Sequence, residues 1–102
     1  MPAAYMIVES NITDPEAFKR YMAAAPEIVK AFAGEYLVRG GRMQVLEGDW
    51  QPPRLTVLRY PSFDAARAMY DSPAYAHARS LREGATACFN MVLVEGVETA
   101  PV

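Results

Sequence analysis

The chain carries one histidine, one cysteine and one tryptophan in 102 residues, so any chemistry must come from few groups. His77 is the only side chain whose ordinary titration falls near neutrality, which makes it the first candidate for acid–base work or metal ligation. It lies on a helical pattern whose apolar positions are Ala74, Ala78, Leu81 and Ala85, and in that register it points sideways or outward. Tyr60, Tyr70 and Tyr75 gather around a strand-to-helix junction, where a phenol can polarise a substrate carbonyl or hydroxyl. Core packing, with the hydroxyl satisfied at the rim, explains them equally well. The catalytic candidates are therefore His77 and Tyr60.

Arg39-Gly40-Gly41 could present a guanidinium and open backbone amides to a carboxylate or phosphate, because glycine lets a ligand approach the chain closely. The alternative is a tight turn whose Arg39 pairs with Glu47 or with a partner subunit. Trp50, on a proline-containing loop, is large and amphipathic; it should anchor that loop on the body or across a dimer, with ligand stacking as the second role. Arg39, Tyr75, Arg79 and Trp50 are the ligand-binding candidates, and with Tyr60 and His77 they would line one pocket.

Other chemistries fail on residue supply. Cys88 lies in the apolar stretch Cys88-Phe89-Asn90-Met91 with no basic neighbour, as a small core hydrophobe would. One histidine and one cysteine supply too few ligands for zinc, and a lone helical histidine gives no haem motif. No metal and no cofactor is expected. Ser62 and Ser72 precede helical patterns and read as caps, Asp71 as turn chemistry, and there is no nucleophile elbow or phosphate-cradling glycine pattern. The net charge of −2, with Lys and Arg scattered, gives no field for nucleic acid or an anionic membrane surface. The start has no secretion-like pattern and the apolar runs are strand-length, so a cytoplasmic location is expected.

These residues need elements to hold them. Ala4 to Glu9 reads as a strand, bounded by Ser10-Asn11. Asp14-Pro15-Glu16 starts a helix whose stripe is Phe18, Tyr21, Met22, Ala25, Ile28, Val29 and Phe32, with a kink or restart near Ala25 before Pro26 and Gly34 in the left-handed position at its end. Tyr36–Arg39 and Arg42–Glu47 read as two short strands joined at Gly40-Gly41. Gly48 to Pro53 is a loop. Arg54–Tyr60 alternates, with Leu55 and Val57 on one side and Thr56, Leu58 and Tyr60 on the other. Two helices follow, one capped by Ser62 and one starting at Ser72-Pro73 and running to Ala85, and then a last strand, Phe89–Glu95.

That order predicts one α+β domain over residues 1–102, core about 4–97, folded as a ferredoxin-like βαββαβ sandwich: an antiparallel sheet with helices on one face. Nothing in the chain remains to cover the other face. A second copy, sheet to sheet about a twofold axis, is the simplest cover, giving a homodimer.

At Leu37-Val38-Arg39-Gly40-Gly41, Leu46-Glu47-Gly48-Asp49-Trp50, Tyr60-Pro61-Ser62-Phe63 and Tyr70-Asp71-Ser72-Pro73-Ala74-Tyr75 the chain resembles the domain of unknown function 1330 (DUF1330) family of the dimeric α+β barrel superfamily. The resemblance runs from about Ala4 to Val97 and implies the same fold and a homodimer, with no agreed activity or catalytic residues. Superfamily relatives include small monooxygenases and muconolactone-isomerase-like proteins, which place ligands between sheet and helices. The functional expectation is a homodimer that binds a small organic molecule there, with cofactor-free enzymatic activity as an extension. The other reading is a non-catalytic dimeric binding or assembly module.

Overall fold

Residues 2–98 are described by a computed structural model. The chain runs β1 (Ala4–Ile12), α1 (Pro15–Ala31), β2 (Glu35–Arg39), β3 (Leu55–Tyr60), α2 (Phe63–Asp71), α3 (Pro73–Ser80) and β4 (Thr86–Glu95). The strands pair antiparallel in the order β2-β3-β1-β4. This is the ferredoxin-like α+β arrangement, with its second helix divided at Ser72.

Side chains alternate across a strand, and the burial follows that period. Ala4, Met6, Val8 and Ser10 of β1, with Thr56, Leu58 and Tyr60 of β3, are buried. Met6, Val8, Leu58 and Tyr60 pack against Val29 of α1, Ala66 and Met69 of α2, and Tyr75 and Ala78 of α3, so all three helices share one face. The helices start where side chains satisfy free amides. Asp14 Oδ1 accepts from the Ala17 amide at 3.1 Å, and Ser62 Oγ accepts from that of Ala65 at 3.0 Å. Ser72 Oγ accepts from the Tyr75 amide at 3.2 Å and donates to the Met69 carbonyl at 2.7 Å, joining the end of α2 to the start of α3.

Among the described residues no helix covers the opposite face. Ladder register lines up Val38, Val57, Ile7 and Val92 as one apolar row across all four strands. On one side runs Glu35–Arg59–Tyr5–Val94, where Arg59 donates to Glu35 at 3.1 Å; on the other runs Leu55–Glu9–Asn90, where Asn90 donates to Glu9 at 3.1 Å. Val92 is 59 % exposed at one end of the row.

Five local expectations are corrected. β1 does not stop at Ser10 but continues to Ile12, because Ser10, Asn11 and Ile12 pair with Phe89, Cys88 and Thr86 of β4; ladder pairing overrides the local turn preference. α1 does not restart at Pro26: one helix spans Pro15–Ala31, with Ala25 and Val29 buried on either side of the proline, so packing holds both halves in one helix. The left-handed residue at its end is Ala33 (φ 62°), not Gly34. The Gly34 amide donates to the Val29 carbonyl at 2.9 Å, closing the last turn. Glycine is required at 34 for space: a Cβ there would lie 2.6 Å from the Tyr60 ring and 2.7 Å from Val29. Arg42–Glu47 is not a strand but part of an exposed connection with no ladder partner among the described residues. α3 stops at Ser80, where Ser80 Oγ donates to the His77 carbonyl at 2.6 Å, and turns ending at Gly84 (φ 76°) lead into β4.

Candidate functional site

The register places one row of inward side chains at the end of the sheet where β1 leaves for α1. Arg39 of β2 sits opposite Thr56 of β3, Thr56 opposite Val8 of β1, and Val8 opposite Met91 of β4; Ser10 and Phe89 form the next pair outward. Above this row α1 presents Phe18, Tyr21, Met22, Ala25 and Val29, the successive positions of one helical face. Small side chains on both layers, Ser10 below and Ala25 above, leave the layers unfilled between them. The result is a cavity of about 40 Å³, completed by Tyr36, Arg54, Leu58, Met69 and Tyr75. A water needs roughly 10–15 Å³ by this measure, so the space admits two or three waters or a compact organic group in their place.

Most of the lining is apolar, and its polar groups converge. The hydroxyls of Tyr21 and Tyr75 are 2.7 Å apart in one hydrogen bond, with the rings edge to face at 6.2 Å. Tyr21 also meets Phe89 edge-on at 6.0 Å, and the Arg82 guanidinium lies over both rings, 3.7 Å from the Phe89 centroid and 5.2 Å from that of Tyr21. Ser10 is 1 % exposed and its Oγ has no hydrogen-bond partner. An unsatisfied buried hydroxyl costs about 1–3 kcal/mol, more than the usual worth of one hydrogen bond, so its retention calls for a partner supplied from the cavity.

Burial pushes the Tyr21 phenol well above the usual tyrosine range; the neighbouring Tyr75 adds to the shift and Arg82 opposes it. Burial likewise raises Tyr36, against the lowering effect of Arg39. These phenols stay protonated at neutral pH and act as hydrogen-bond donors. Among the described residues no His, Asp, Glu, Lys or Cys lines the cavity. On its own side chains the site can bind, orient and polarise an oxygen, but it offers no proton acceptor that works near neutrality.

Of the residues singled out from sequence, Tyr75 and Arg39 line this cavity. Arg39 stacks 4.6 Å over the Tyr36 ring and has no ion pair with Glu47 among the described residues. The Gly40 amide is not open to a ligand, since it donates to the Leu55 carbonyl at 3.0 Å. His77 is exposed on α3 and lines no described pocket. Arg79 lies 4.9 Å over the outer ring of Tyr70. Tyr60 is fully buried at the other end of the sheet, against Gly34; burial raises its phenol too, and its hydroxyl has no partner. Trp50 belongs to the open face, where its Nε1 donates to Glu9 Oε2 at 3.2 Å. A second, more open hollow of about 260 Å³ between α2 and β4 is flanked by Arg67, already paired with Asp71 at 2.9 Å.

Sequence reasoning missed Ser10, Tyr36, Arg54 and Thr56, and took Tyr21 for core alone. Strand parity could have found two of them: Ser10 continues the inward series Ala4, Met6, Val8, and Thr56 the series with Leu58 and Tyr60. A small polar residue extending an apolar face is the signal.

Comparison with known proteins agrees with this architecture. The family model described as "Domain of unknown function (DUF1330)" matches residues 3–97. The comparison with curated proteins finds no match. Among solved structures, a protein of unknown function from Rhodopseudomonas palustris superposes with a TM-score of 0.73 at 18 % identity, covering 96 % of this chain and 85 % of that one. A dimeric ferredoxin-like protein of unknown function from Thermobifida fusca gives 0.62 at 17 % identity, covering 92 % and 91 %. A protein from Caulobacter crescentus, named as a candidate antibiotic biosynthesis monooxygenase, gives 0.59 at 17 % identity, covering 95 % and 92 %. At these identities the likeness is one of fold.

Proposed function

The chain belongs to the DUF1330 family of domains of unknown function, and from that premise we propose that it is a cytoplasmic homodimer that binds a small organic molecule between its sheet and helix α1. The observation that carries the ligand site is the unpartnered Ser10 hydroxyl, buried in a mostly apolar cavity that the Tyr21–Tyr75 phenol pair also lines. Pockets of this make-up, apolar walls with a few convergent polar groups, are the usual form of small-molecule sites. In the bonded Tyr21–Tyr75 pair one phenol donates to the other and the second keeps a free proton, which would polarise a substrate carbonyl; that is the form any cofactor-free turnover here would take. The dimer is supported by the uncovered row Val38–Val57–Ile7–Val92 and by dimeric structural relatives.

The test is to fill the cavity. Ala25 is buried and projects from α1 into it, so Ala25→Leu should occupy the space without touching the polar groups. Small organic molecules that bind the native protein in a ligand-observed NMR screen should lose binding to Ala25→Leu at least tenfold, while its melting temperature holds or rises because a void has been filled. Undiminished binding to a folded Ala25→Leu protein would remove the site.

A further inference from the structure

The geometry points to a small hydrophobic monocarboxylate as the ligand of this cavity; the inference rests on the cavity being a ligand site and names the class of molecule it takes. Arg39 and Arg54 both line the cavity from the β2–β3 side. Neither has a carboxylate partner among the described residues, whereas Arg59 is bonded to Glu35 and Arg67 to Asp71. Among the described residues no acidic side chain lines the cavity, so two guanidiniums face it without a carboxylate beside them.

Both arginines are held before any ligand arrives. Arg39 stacks on Tyr36, and the Arg54 side chain passes so close to Gly40 that a Cβ there would lie 2.8 Å from its Nε. That closeness, together with a φ of 68°, explains the glycine at position 40. Guanidiniums fixed in advance lose little freedom on gripping a planar anion, and their forked donors match a carboxylate.

Exposure sets the ligand's direction. Arg39 is exposed and Arg54 half-buried, whereas Ser10 and Tyr75 are each 1 % exposed. The charged end therefore sits at the mouth and the rest of the molecule points inward. There Met6, Met22 and Phe18 offer polarisable and aromatic walls, and a space of about 40 Å³ suits a short branched aliphatic body. A second charge on the body would be desolvated against those walls with no counter-ion, which limits the class to monocarboxylates. Ser10 and the phenol pair, deeper in, would bond one hydroxyl or carbonyl oxygen on that body.

Calorimetric titration with isobutyrate, its neutral amide isobutyramide, and 3-hydroxyisobutyrate tests this. The native protein should bind isobutyrate about tenfold or more tightly than isobutyramide, the scale of a hydrogen-bonded charge pair. The double variant Arg39→Gln/Arg54→Gln should lose that preference yet keep its affinity for isobutyramide. Arg39→Gln alone, at an exposed position, should lose part of it and carries the test if the double variant does not fold. 3-Hydroxyisobutyrate should bind more tightly than isobutyrate, and Ser10→Ala should abolish the gain. Isobutyramide binding as well as isobutyrate, or a preference that survives both arginine substitutions, overturns the carboxylate class and leaves the ligand site standing. Absence of binding by all three probes and by every neutral fragment overturns the site and this inference with it.

Discussion

Two adjacent residues at the end of α1 carry opposite constraints, and exchanging their side chains should move stability in opposite directions. Ala33 holds a φ of 62°, a conformation that costs a residue with a Cβ about 1–2 kcal/mol. Ala33→Gly removes that strain but adds freedom to the unfolded chain, so the net gain should be roughly 0.5–1 kcal/mol. Gly34→Ala should instead cost about 1–3 kcal/mol, because its methyl would enter the space held by the Tyr60 ring and Val29 in a packed core. Urea unfolding of the two variants gives the check; a shift of the same sign in both would contradict this account of the turn. The sequence pattern located the helix end, since glycine after an apolar stripe is a stop signal. It could not say which of the two residues turns left-handed, because the deciding neighbour, Tyr60, lies far along the chain. The site was legible to the same degree: Tyr75 and Arg39 could be picked by residue type, while Ser10 matters only because Ala25 on another layer is also small.

At the level of elements, the joint between α2 and α3 positions Tyr75 and hence the phenol pair. Ser72 serves both helices with one hydroxyl, accepting from the Tyr75 amide and donating to the Met69 carbonyl. Ser72→Ala should cost about 0.5–2 kcal/mol as a lost cap. It should also weaken ligand binding beyond what the stability loss explains, because the first turn of α3 carries Tyr75. Denaturant unfolding and ligand titration on the same variant separate the two effects, and unchanged affinity would show that Tyr75 is held by its ring packing alone. Helix starts were readable from sequence because capping is local: Asp14, Ser62 and Ser72 each bond an amide three residues on. Strand ends were not. Arg42–Glu47 alternates as a strand should, yet no neighbour offers it a ladder, while Ser10-Asn11-Ile12 looks like a turn and is drawn into β4. A strand is specified by its partner as much as by itself, and the partner is remote in sequence.

For the whole molecule, the sheet has one face under three helices and one bare, and the bare face has the anatomy of an interface. Its centre is the row Val38–Val57–Ile7–Val92, and charged or polar residues flank it: Glu35, Arg59 and Tyr5 on one side, Glu9 and Asn90 on the other. An apolar core with a polar rim is how protein interfaces are built. The row crosses all four strands, so a twofold-related copy can set its own row against it without an unpaired charge at the centre. Trp50 is bonded to Glu9 on this face, and Met43, Val45 and Leu46 of the long connection are exposed, Leu46 at 82 %. The native protein should therefore sediment at twice its 11.3 kDa chain mass, with a melting temperature that rises with concentration. Val92→Glu places a charge in the row at a position already exposed in the single chain, so the protomer fold should survive. Two such charges per dimer, each costing about 2 kcal/mol if it acts at the centre of the contact, would weaken association roughly a thousandfold. The variant should sediment as a folded monomer. A native protein that is monomeric at every concentration would leave the valine row without a partner and withdraw the dimer; a Val92→Glu protein that still dimerises would move the interface off this face.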